Sequence, residues 1–211
     1  MYQLFAFGTP NSIKPIIALE ELEVEYALQG INVRKGEQKS DEFIALNPNA
    51  KVPVLTVGMG GGQDMVLSES AAILIYLAEQ HGRLLPSSGE ARARVFEQLF
   101  FHASGIGPAF GQSGYFQKSA PDLLPAAILR FHGEAKRTMA ILDQVLAKTT
   151  YAAGEDYTIA DIAHFGWIWR RAFAGIDFSA TPNVERWYEL VAQRPAVRRA
   201  IAKAEALIPA T

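Results

Sequence analysis

The first 82 residues alternate between short apolar runs and longer stretches with helical spacing. Tyr2–Phe7 and Tyr26–Val33 are short and rich in aromatic and aliphatic side chains, which is typical of strands. Between them, residues 12–25 carry apolar side chains at helical spacing, with Ser12 as the expected N-cap. This order predicts two parallel strands joined by a right-handed crossover helix. The helical glutamates that we expect to face water are Glu20, Glu21 and Glu23.

The pattern then predicts a short helix, a hairpin and a second long helix. We expect the short helix around Asp41–Leu46, strands at Lys51–Val57 and Met65–Leu67, and a turn at Gly58–Asp64 between them. Ser70–His81 is predicted to be a helix that is apolar nearly all round and therefore buried between layers. The resulting order βαβ-α-ββα predicts an α/β domain over residues 1–82, with a mixed four-stranded sheet covered by helices.

The rest of the chain shows helical patterns after a short break. Residues 83–89 are rich in Gly, Pro and Ser, as interdomain linkers often are. Beyond them, Thr158 and Asp161 have the spacing of a capping box at the start of a helix. No strand pattern follows the linker, so we expect an all-helical second domain over residues 90–211.

Charge and cysteine content exclude several classes of function. The 211 residues hold 20 Lys and Arg against 22 Asp and Glu, so no basic surface for nucleic acid or anionic lipid is expected. The chain has no cysteine, which excludes disulfides, thiolate metal sites and a cysteine nucleophile. The N-terminus lacks the basic segment of a secretory signal, and the longest apolar run, Ala71–Ala78, is too short to span a bilayer. We expect a soluble cytoplasmic protein.

Motifs for nucleotide, serine-hydrolase and metal chemistry are incomplete. The run Gly58–Gly62 has Gln63 where a GxGxxG motif needs glycine, and it leads into a strand, so a flexible turn is the better interpretation. Neither Ser104 nor Ser113 completes GxSxG. The four histidines show no metal-ligand spacing, and no metal is expected.

Three loops of the first domain should meet at one edge of the sheet. They are the Gly8–Ser12 turn, Val52-Pro53 at the start of a strand, and the Glu69-Ser70 junction before a helix. Ser70 alone would be an ordinary N-cap. With the N–H groups of its helix, however, Ser70 could bind a carboxylate, and Glu69 could bind an ammonium group. This pair suits the head group of an α-amino acid. A cis proline would turn the Val52 backbone towards a peptide-like ligand.

Motifs along the whole chain resemble the cytosolic glutathione transferases. The motifs are TPNSIKPIIALEEL (9–22), KVP (51–53), LSESAAILIYLAE (67–79) and YTIADIA (157–163). Within that family the chain is similar to the bacterial Nu class. The features that point there are Thr9-Pro10-Asn11, Lys35-Gly36-Glu37-Gln38 and the glycine-rich stretch from Gly105 to Gln112.

The resemblance implies a fold and a partner. The N-terminal domain would be thioredoxin-like, the C-terminal domain would be the all-helical domain of glutathione transferases, and the protein would be a homodimer. Glutathione would be the co-substrate. Pro53 would be the cis proline, and Val52 would pair with the cysteinyl backbone of glutathione.

The resemblance also implies how the two ends of glutathione are held. Glu69 and Ser70 would hold the γ-glutamyl end, in agreement with the amino-acid site argued above. Lys51 and Gln38 are the candidates for the glycyl end. A second glutathione carboxylate could reach Arg130, although this arginine also fits an ordinary surface position.

The sulfur atom needs a hydrogen-bond donor near the first loop. By the match to the Nu pattern, the Thr9 hydroxyl and the Asn11 amide would be these donors. Ser12 is the alternative, because serine near this position activates the thiol in other classes. Tyr2 lies inside the predicted strand, where it cannot easily reach the site.

The expected activity is glutathione-dependent disulfide reduction, conjugation of glutathione to electrophiles as in detoxification, or both. The second substrate would be a small disulfide or electrophile. A non-catalytic binding or regulatory protein on the same fold is the alternative, because fold alone does not separate these functions. The glycines between Ser104 and Gly114 should bend the first long helix and open space above the sulfur.

Overall fold

Four short strands form one mixed sheet in the computed structural model, which describes residues 1–58 and 65–209. The sheet order is β2-β1-β3-β4; β1 and β2 are parallel, and the other neighbours are antiparallel. This confirms the predicted mixed sheet. The strands are β1 (Tyr2–Ala6), β2 (Tyr26–Gly30), β3 (Val54–Val57) and β4 (Met65–Ser68). β2 ends three residues before the predicted Val33, and all but the first residue of the predicted Gly58–Asp64 turn lies outside the described residues.

Helices cover this sheet. They are α1 (Ile13–Leu22), α2 (Asp41–Leu46), α3 (Ser70–His81) and, from the end of the chain, α9 (Pro195–Ala206). A 3₁₀ turn at Glu37–Lys39 precedes α2. α1 packs against both α3 and α9. Its apolar residues Ile13, Ile16 and Ile17 are fully buried, as the helical spacing predicts.

Two of the three glutamates that we expect to face water, Glu20 and Glu21 of α1, do not face it. Glu20 is 8% exposed and accepts hydrogen bonds from Arg199 Nε at 2.6 Å, from the Lys203 ammonium group and from the Tyr26 hydroxyl. Glu21 forms a bidentate pair with Arg194 at 2.6 and 2.9 Å. The expectation that they face water is therefore wrong, because α9 and the residue before it bring cations to α1 from about 175 residues further along the chain, which helical periodicity cannot reveal.

The chain divides into two compact units that differ from the predicted domains in one respect. One unit contains Met1–Arg83 together with Gln193–Thr211, and the other contains Leu84–Ala192. The predicted domains, residues 1–82 and 90–211 joined by 83–89, follow chain order and stay a prediction. α9 belongs to the first unit because it packs on α1, although it follows the second unit in the chain.

The second unit is built of helices joined by turns and irregular segments. Its helices are α4 (Gly89–Phe101), α5 (Gly107–Lys118), α6 (Pro125–Leu146), α7 (Ile159–Trp169) and α8 (Pro182–Ala192). The capping box of Thr158 and Asp161 at the start of α7 is confirmed. Within the described residues, no helix is both long enough and apolar enough to cross a membrane.

In the glycine-rich stretch of the second unit, other side chains pack closely against the glycines, where a larger residue would carry its Cβ atom. A π-helical turn at His102–Ile106 joins α4 to α5. A Cβ atom on Gly111 would lie 3.4 Å from the Trp167 ring, and one on Gly114 would lie 2.1 Å from Phe173. Aromatic rings thus pack against these two glycines, whereas the expected open space above the sulfur stays a prediction.

Candidate functional site

Strand register brings the three loops to one edge of the sheet. Phe5 pairs with Val54, and Val54 pairs with Ser68. The end of β1, the start of β3 and the end of β4 are therefore neighbours. The segments that continue from these three strand ends are the 7–12 loop, the 47–53 loop and the Glu69-Ser70 junction.

The 47–53 loop is organised by Asn47. Asn47 is 4% exposed; its Nδ2 donates to the Lys51 carbonyl at 2.8 Å, and its Oδ1 accepts from the Asn49 N–H at 3.1 Å. Ala50 follows in the left-handed region, with φ of 51°. The Val52–Pro53 peptide bond is cis, as the resemblance implies. Sequence reasoning missed Asn47, although the Asn-Pro-Asn run is ordinary turn chemistry and could have revealed it.

The junction between β4 and α3 is strained. Glu69 has φ of 67° and ψ of 113°, a backbone conformation that residues other than glycine adopt at a cost of about 1–3 kcal/mol. The first helical residue is Ser70, and the N–H groups of this first turn have no acceptor inside the helix. Such a helix start favours an anion, and strained residues of this kind cluster at functional sites.

The 7–12 loop is closed by a pair of hydroxyl groups. The Thr9 hydroxyl donates to Ser12 Oγ at 3.0 Å and accepts from the Ser12 N–H at 3.2 Å. Ser12 Oγ also accepts from the Phe7 N–H at 3.3 Å, and Ser12 is fully buried. Ser12 occupies the N-cap position of α1, but its side chain makes no capping hydrogen bond, so the predicted side-chain cap is wrong. Its hydroxyl instead ties the loop to the end of β1.

A buried lysine that the sequence reasoning missed lies beneath these loops. Lys14 is 2% exposed, and its Nζ donates to Asn11 Oδ1 at 2.8 Å and to Ser70 Oγ at 3.3 Å. Burial lowers the pKa of Lys14 to about 7, and the nearby Glu69 carboxylate offsets part of that effect. The only signal in the sequence is a cation among the apolar residues of the first turn of α1, where a solvated lysine is the usual interpretation.

Most of the predicted site residues line one small cavity of about 50 Å³. Its lining residues are Asn11, Asn47, Lys51, Val52, Pro53, Glu69 and Ser70. Thr9 and Ser12 lie in the same loop as Asn11 but are not among the lining residues. Lys51 is exposed at the cavity. The cavity thus has room for one end of a ligand, with the remainder lying over the surface.

Gln38 and Arg130 are not among the residues that line this cavity. Gln38 lies in the 3₁₀ turn Glu37–Lys39, and its Oε1 is buried without a hydrogen-bond partner in the described parts of the chain. Arg130 belongs to the second unit, where it is an exposed residue of α6.

The groups that line the cavity are complementary to an amino-acid head group. Ser70 and the N–H groups of its helix can bind a carboxylate, and Glu69 can bind an ammonium group. Asn11 adds an amide donor at the same cavity. Within the described residues, 1–58 and 65–209, no group of three His, Cys, Asp or Glu side chains is arranged to hold a metal ion.

Two family models and a similar bacterial protein match this chain. Residues 1–79 match the family model of the glutathione S-transferase N-terminal domain, and residues 122–195 match that of the C-terminal domain. The chain is 37% identical over 209 residues to the disulfide-bond oxidoreductase YfcG of Escherichia coli (strain K12), covering 97% of this chain and 96% of that protein.

Two solved structures are similar along nearly the whole chain. One is a glutathione transferase family member from Pseudomonas fluorescens pf-5 with two glutathione bound, at 36% identity and a TM-score of 0.87, covering 95% of this chain and 92% of that one. The other is a glutathione transferase from Pseudomonas putida with one glutathione disulfide bound per subunit, at 35% identity and a TM-score of 0.85, covering 95% and 90%.

Proposed function

We infer that this chain, which belongs to the glutathione S-transferase family, is an enzyme that uses glutathione as its co-substrate. The observation that carries the inference is the meeting of Asn11, Val52, Glu69 and Ser70 at one cavity. An amino-acid head-group site next to an amide donor matches a γ-glutamyl peptide whose second residue bears a thiol. The relatives and neighbours described above support this function by what they are named for and by what they bind.

Glutathione binds along the sheet edge in this proposal. Its γ-glutamyl carboxylate accepts from Ser70 and the start of α3, and its ammonium group donates to Glu69. The cysteinyl backbone pairs with Val52 beside Pro53. Supporting this path, all four residues line the same cavity.

The glycyl carboxylate at the other end of glutathione is held by Lys51 and Gln38. The exposure of Lys51 supports its role, because its ammonium group can reach a carboxylate that lies outside the cavity. The Oε1 of Gln38 is buried, and its amide nitrogen, Nε2, carries the N–H groups that can donate to a carboxylate.

The Asn11 amide and the Thr9 hydroxyl stabilise the thiolate. A free thiol has a pKa of about 8.5, so donors that favour the charged form raise the reactive fraction at neutral pH. The Thr9 hydroxyl, which donates to Ser12, must turn towards the sulfur by rotation about one C–O bond. The full burial of Ser12 supports Thr9 and Asn11 as the sulfur ligands in preference to Ser12.

The favoured reaction is reduction of a small disulfide. The bound thiolate attacks one sulfur of the disulfide, the S–S bond breaks, and the second sulfur leaves as a thiolate that takes a proton. A second glutathione thiolate then attacks the mixed disulfide and releases glutathione disulfide and the other thiol product. The chain has no cysteine, so glutathione supplies both of the thiolates that attack. Arg130 is our candidate for the carboxylate of the second glutathione.

The same thiolate can also attack an electrophile, which is the conjugation reaction. Turnover of 2-hydroxyethyl disulfide, compared with turnover of chlorodinitrobenzene, separates the two reactions. We expect the disulfide to be the better substrate. We also expect activity to survive a thiol alkylator that is removed before glutathione is added. Binding of glutathione in a calorimeter without turnover of either substrate would instead indicate a non-catalytic binding protein.

We also propose that the protein is a cytoplasmic homodimer. The family resemblance supports a two-fold assembly, and homo-oligomers of soluble proteins are most often two-fold dimers. Light scattering at micromolar concentration should return about twice the 23.1 kDa of one chain. A mass of a single chain would contradict this assembly.

A further inference from the structure

Lys14 is a buried cation that joins two loops of the site. Its Nζ donates to Asn11 Oδ1 at 2.8 Å and to Ser70 Oγ at 3.3 Å. Asn11 belongs to the loop after β1, whereas Ser70 begins α3, and both line the cavity. Burial of an ammonium group is costly, and an apolar residue at position 14 would avoid that cost. The position therefore calls for a reason beyond packing.

The contact with Lys14 decides which atom of the Asn11 amide faces the protein. Lys14 Nζ is the donor in both contacts, and this holds for the ammonium group and for the neutral amine that a pKa of about 7 produces above that pH. The amide oxygen must face Nζ, because the amide nitrogen would set its own N–H groups against those of the lysine. With Oδ1 held by Lys14, the two N–H groups of Nδ2 are directed away from the lysine.

We propose that Lys14 is a positioning residue that holds the Asn11 amide with its N–H groups directed at the sulfur of glutathione. This inference rests on the proposed function, since it requires a thiolate beside Asn11. If the Asn11 amide were rotated by 180°, its oxygen would face the thiolate, and repulsion between the two would raise the pKa of the thiol.

The contact with Ser70 extends the same effect to the other end of the cavity. Ser70 Oγ accepts from Lys14, so the single hydroxyl proton of Ser70 is left to donate elsewhere. A ligand carboxylate at the start of α3 is the acceptor that this arrangement suits. One buried cation thus turns a donor of Asn11 and a donor of Ser70 outward at the same time.

A double-mutant cycle tests the role of Lys14 in positioning Asn11. The variants are Lys14→Met, Asn11→Ala and the two combined, and the measurement is the pKa of bound glutathione from thiolate absorbance across a pH series. We expect Lys14→Met to raise this pKa by about one unit, a tenfold loss of thiolate below the pKa. In the Asn11→Ala background, Lys14→Met should leave the pKa unchanged, because there is no amide left to orient.

The control is Lys39→Met, which removes an exposed lysine of the same unit and should not change the thiol pKa. An equal shift with and without Asn11 would overturn the inference, because Lys14 would then act through its own charge. No shift in either background would overturn it as well. A chain that binds no glutathione would overturn the proposed function and this inference together, whereas an additive shift would overturn the inference alone.

A measurement on the unaltered chain does not depend on how the variants fold. Nuclear Overhauser contacts should connect the Asn11 side-chain N–H protons to bound S-methylglutathione. Strong contacts from those protons to the Lys14 ε-methylene group, without contacts to the ligand, would contradict the proposed orientation.

Discussion

Lys14 in the first unit and Asp161 in the second are both buried ionisable side chains, but their surroundings differ. Asp161 accepts from the Ala152 N–H, the Thr158 N–H and hydroxyl, and Trp187 Nε1, at 2.8 to 3.3 Å. Burial raises the pKa of Asp161, and these donors offset part of that effect. The acceptors of Lys14 that we describe are uncharged side chains of two loops that line a cavity.

The difference separates a structural buried charge from a functional one. The donors of Asp161 come from a backbone turn, a helix cap and the indole of a buried tryptophan, so the carboxylate fastens parts of one unit together. Lys14 fastens side chains whose other donors remain available to a ligand. We therefore expect loss of Asp161 to change folding, and loss of Lys14 or its partners to change chemistry.

The largest expected effect is that of Asp161→Ala on stability. The substitution leaves the Ala152 N–H, the Thr158 N–H and the indole N–H of Trp187 without their acceptor, at about 1–3 kcal/mol for each buried group. We expect the free energy of unfolding to fall by about 3–5 kcal/mol, measured by urea denaturation. Asp156→Ala, at an exposed position just before α7, is the matched control and should change it by less than about 0.5 kcal/mol. A small effect of Asp161→Ala would remove the distinction drawn above.

The next effect is on the rate, with the fold retained. Asn11→Ala and Thr9→Ala should each lower turnover at neutral pH by about 10- to 1000-fold, or about 1.4–4 kcal/mol, because each removes a donor to the thiolate. Urea denaturation should show a smaller loss of stability for Asn11→Ala than for Asp161→Ala, because a single buried donor group, Lys14 Nζ, loses an acceptor.

Ser12→Ala is the matched control for these two variants. It removes a hydroxyl that accepts from the Phe7 N–H, and it should cost about 1–2 kcal/mol of stability with a smaller loss of rate. If Ser12→Ala abolished turnover and Thr9→Ala did not, the chain would belong with serine-type transferases instead of the Nu class.

Binding of the head group gives a third effect of similar size. Glu69→Ala and Ser70→Ala should each weaken glutathione binding by about 1.5–3 kcal/mol, the range for hydrogen bonds to charged groups. Isothermal titration with glutathione measures this loss. Gln80→Ala, at an exposed position near the other end of α3, should bind as the unaltered chain does. Unchanged affinity in both site variants would show that the head group binds elsewhere.

The sequence predicted the order of the elements better than the contacts between distant ones. Apolar spacing was enough for the sheet and for α3, because each depends on local periodicity. It did not reveal that α9 returns to α1 and surrounds Glu20 with cations. In the same way, the site loops could be located from strand ends, whereas Lys14 could not. Its role depends on Ser70, which lies 56 residues further along the chain.

The remaining prediction concerns how Lys14 makes stability depend on pH. Its pKa is about 7 in the folded chain, against the ordinary value of 10.5 for an exposed lysine. Below pH 7 both states carry the proton, so Lys14 adds no pH dependence there. Above pH 7 the unfolded chain binds a proton that the folded chain has released, so stability rises with pH, by at most about 1.36 kcal/mol per unit.

Between pH 7 and pH 9, the Lys14 contribution should therefore raise the free energy of unfolding by about 2 kcal/mol. Other groups titrate over the same range, so the informative quantity is the difference between the unaltered chain and Lys14→Met, measured by urea denaturation at each pH. The free energy of unfolding of the unaltered chain minus that of Lys14→Met should rise with pH. The same quantity for Lys39→Met should stay constant. A flat result for Lys14→Met would mean that the lysine keeps its proton when buried, as it would if the Glu69 carboxylate compensated its charge fully. Lys14 and Asp161 would then be alike as compensated buried charges, and the contrast between the two units would rest on the kinetic variants alone.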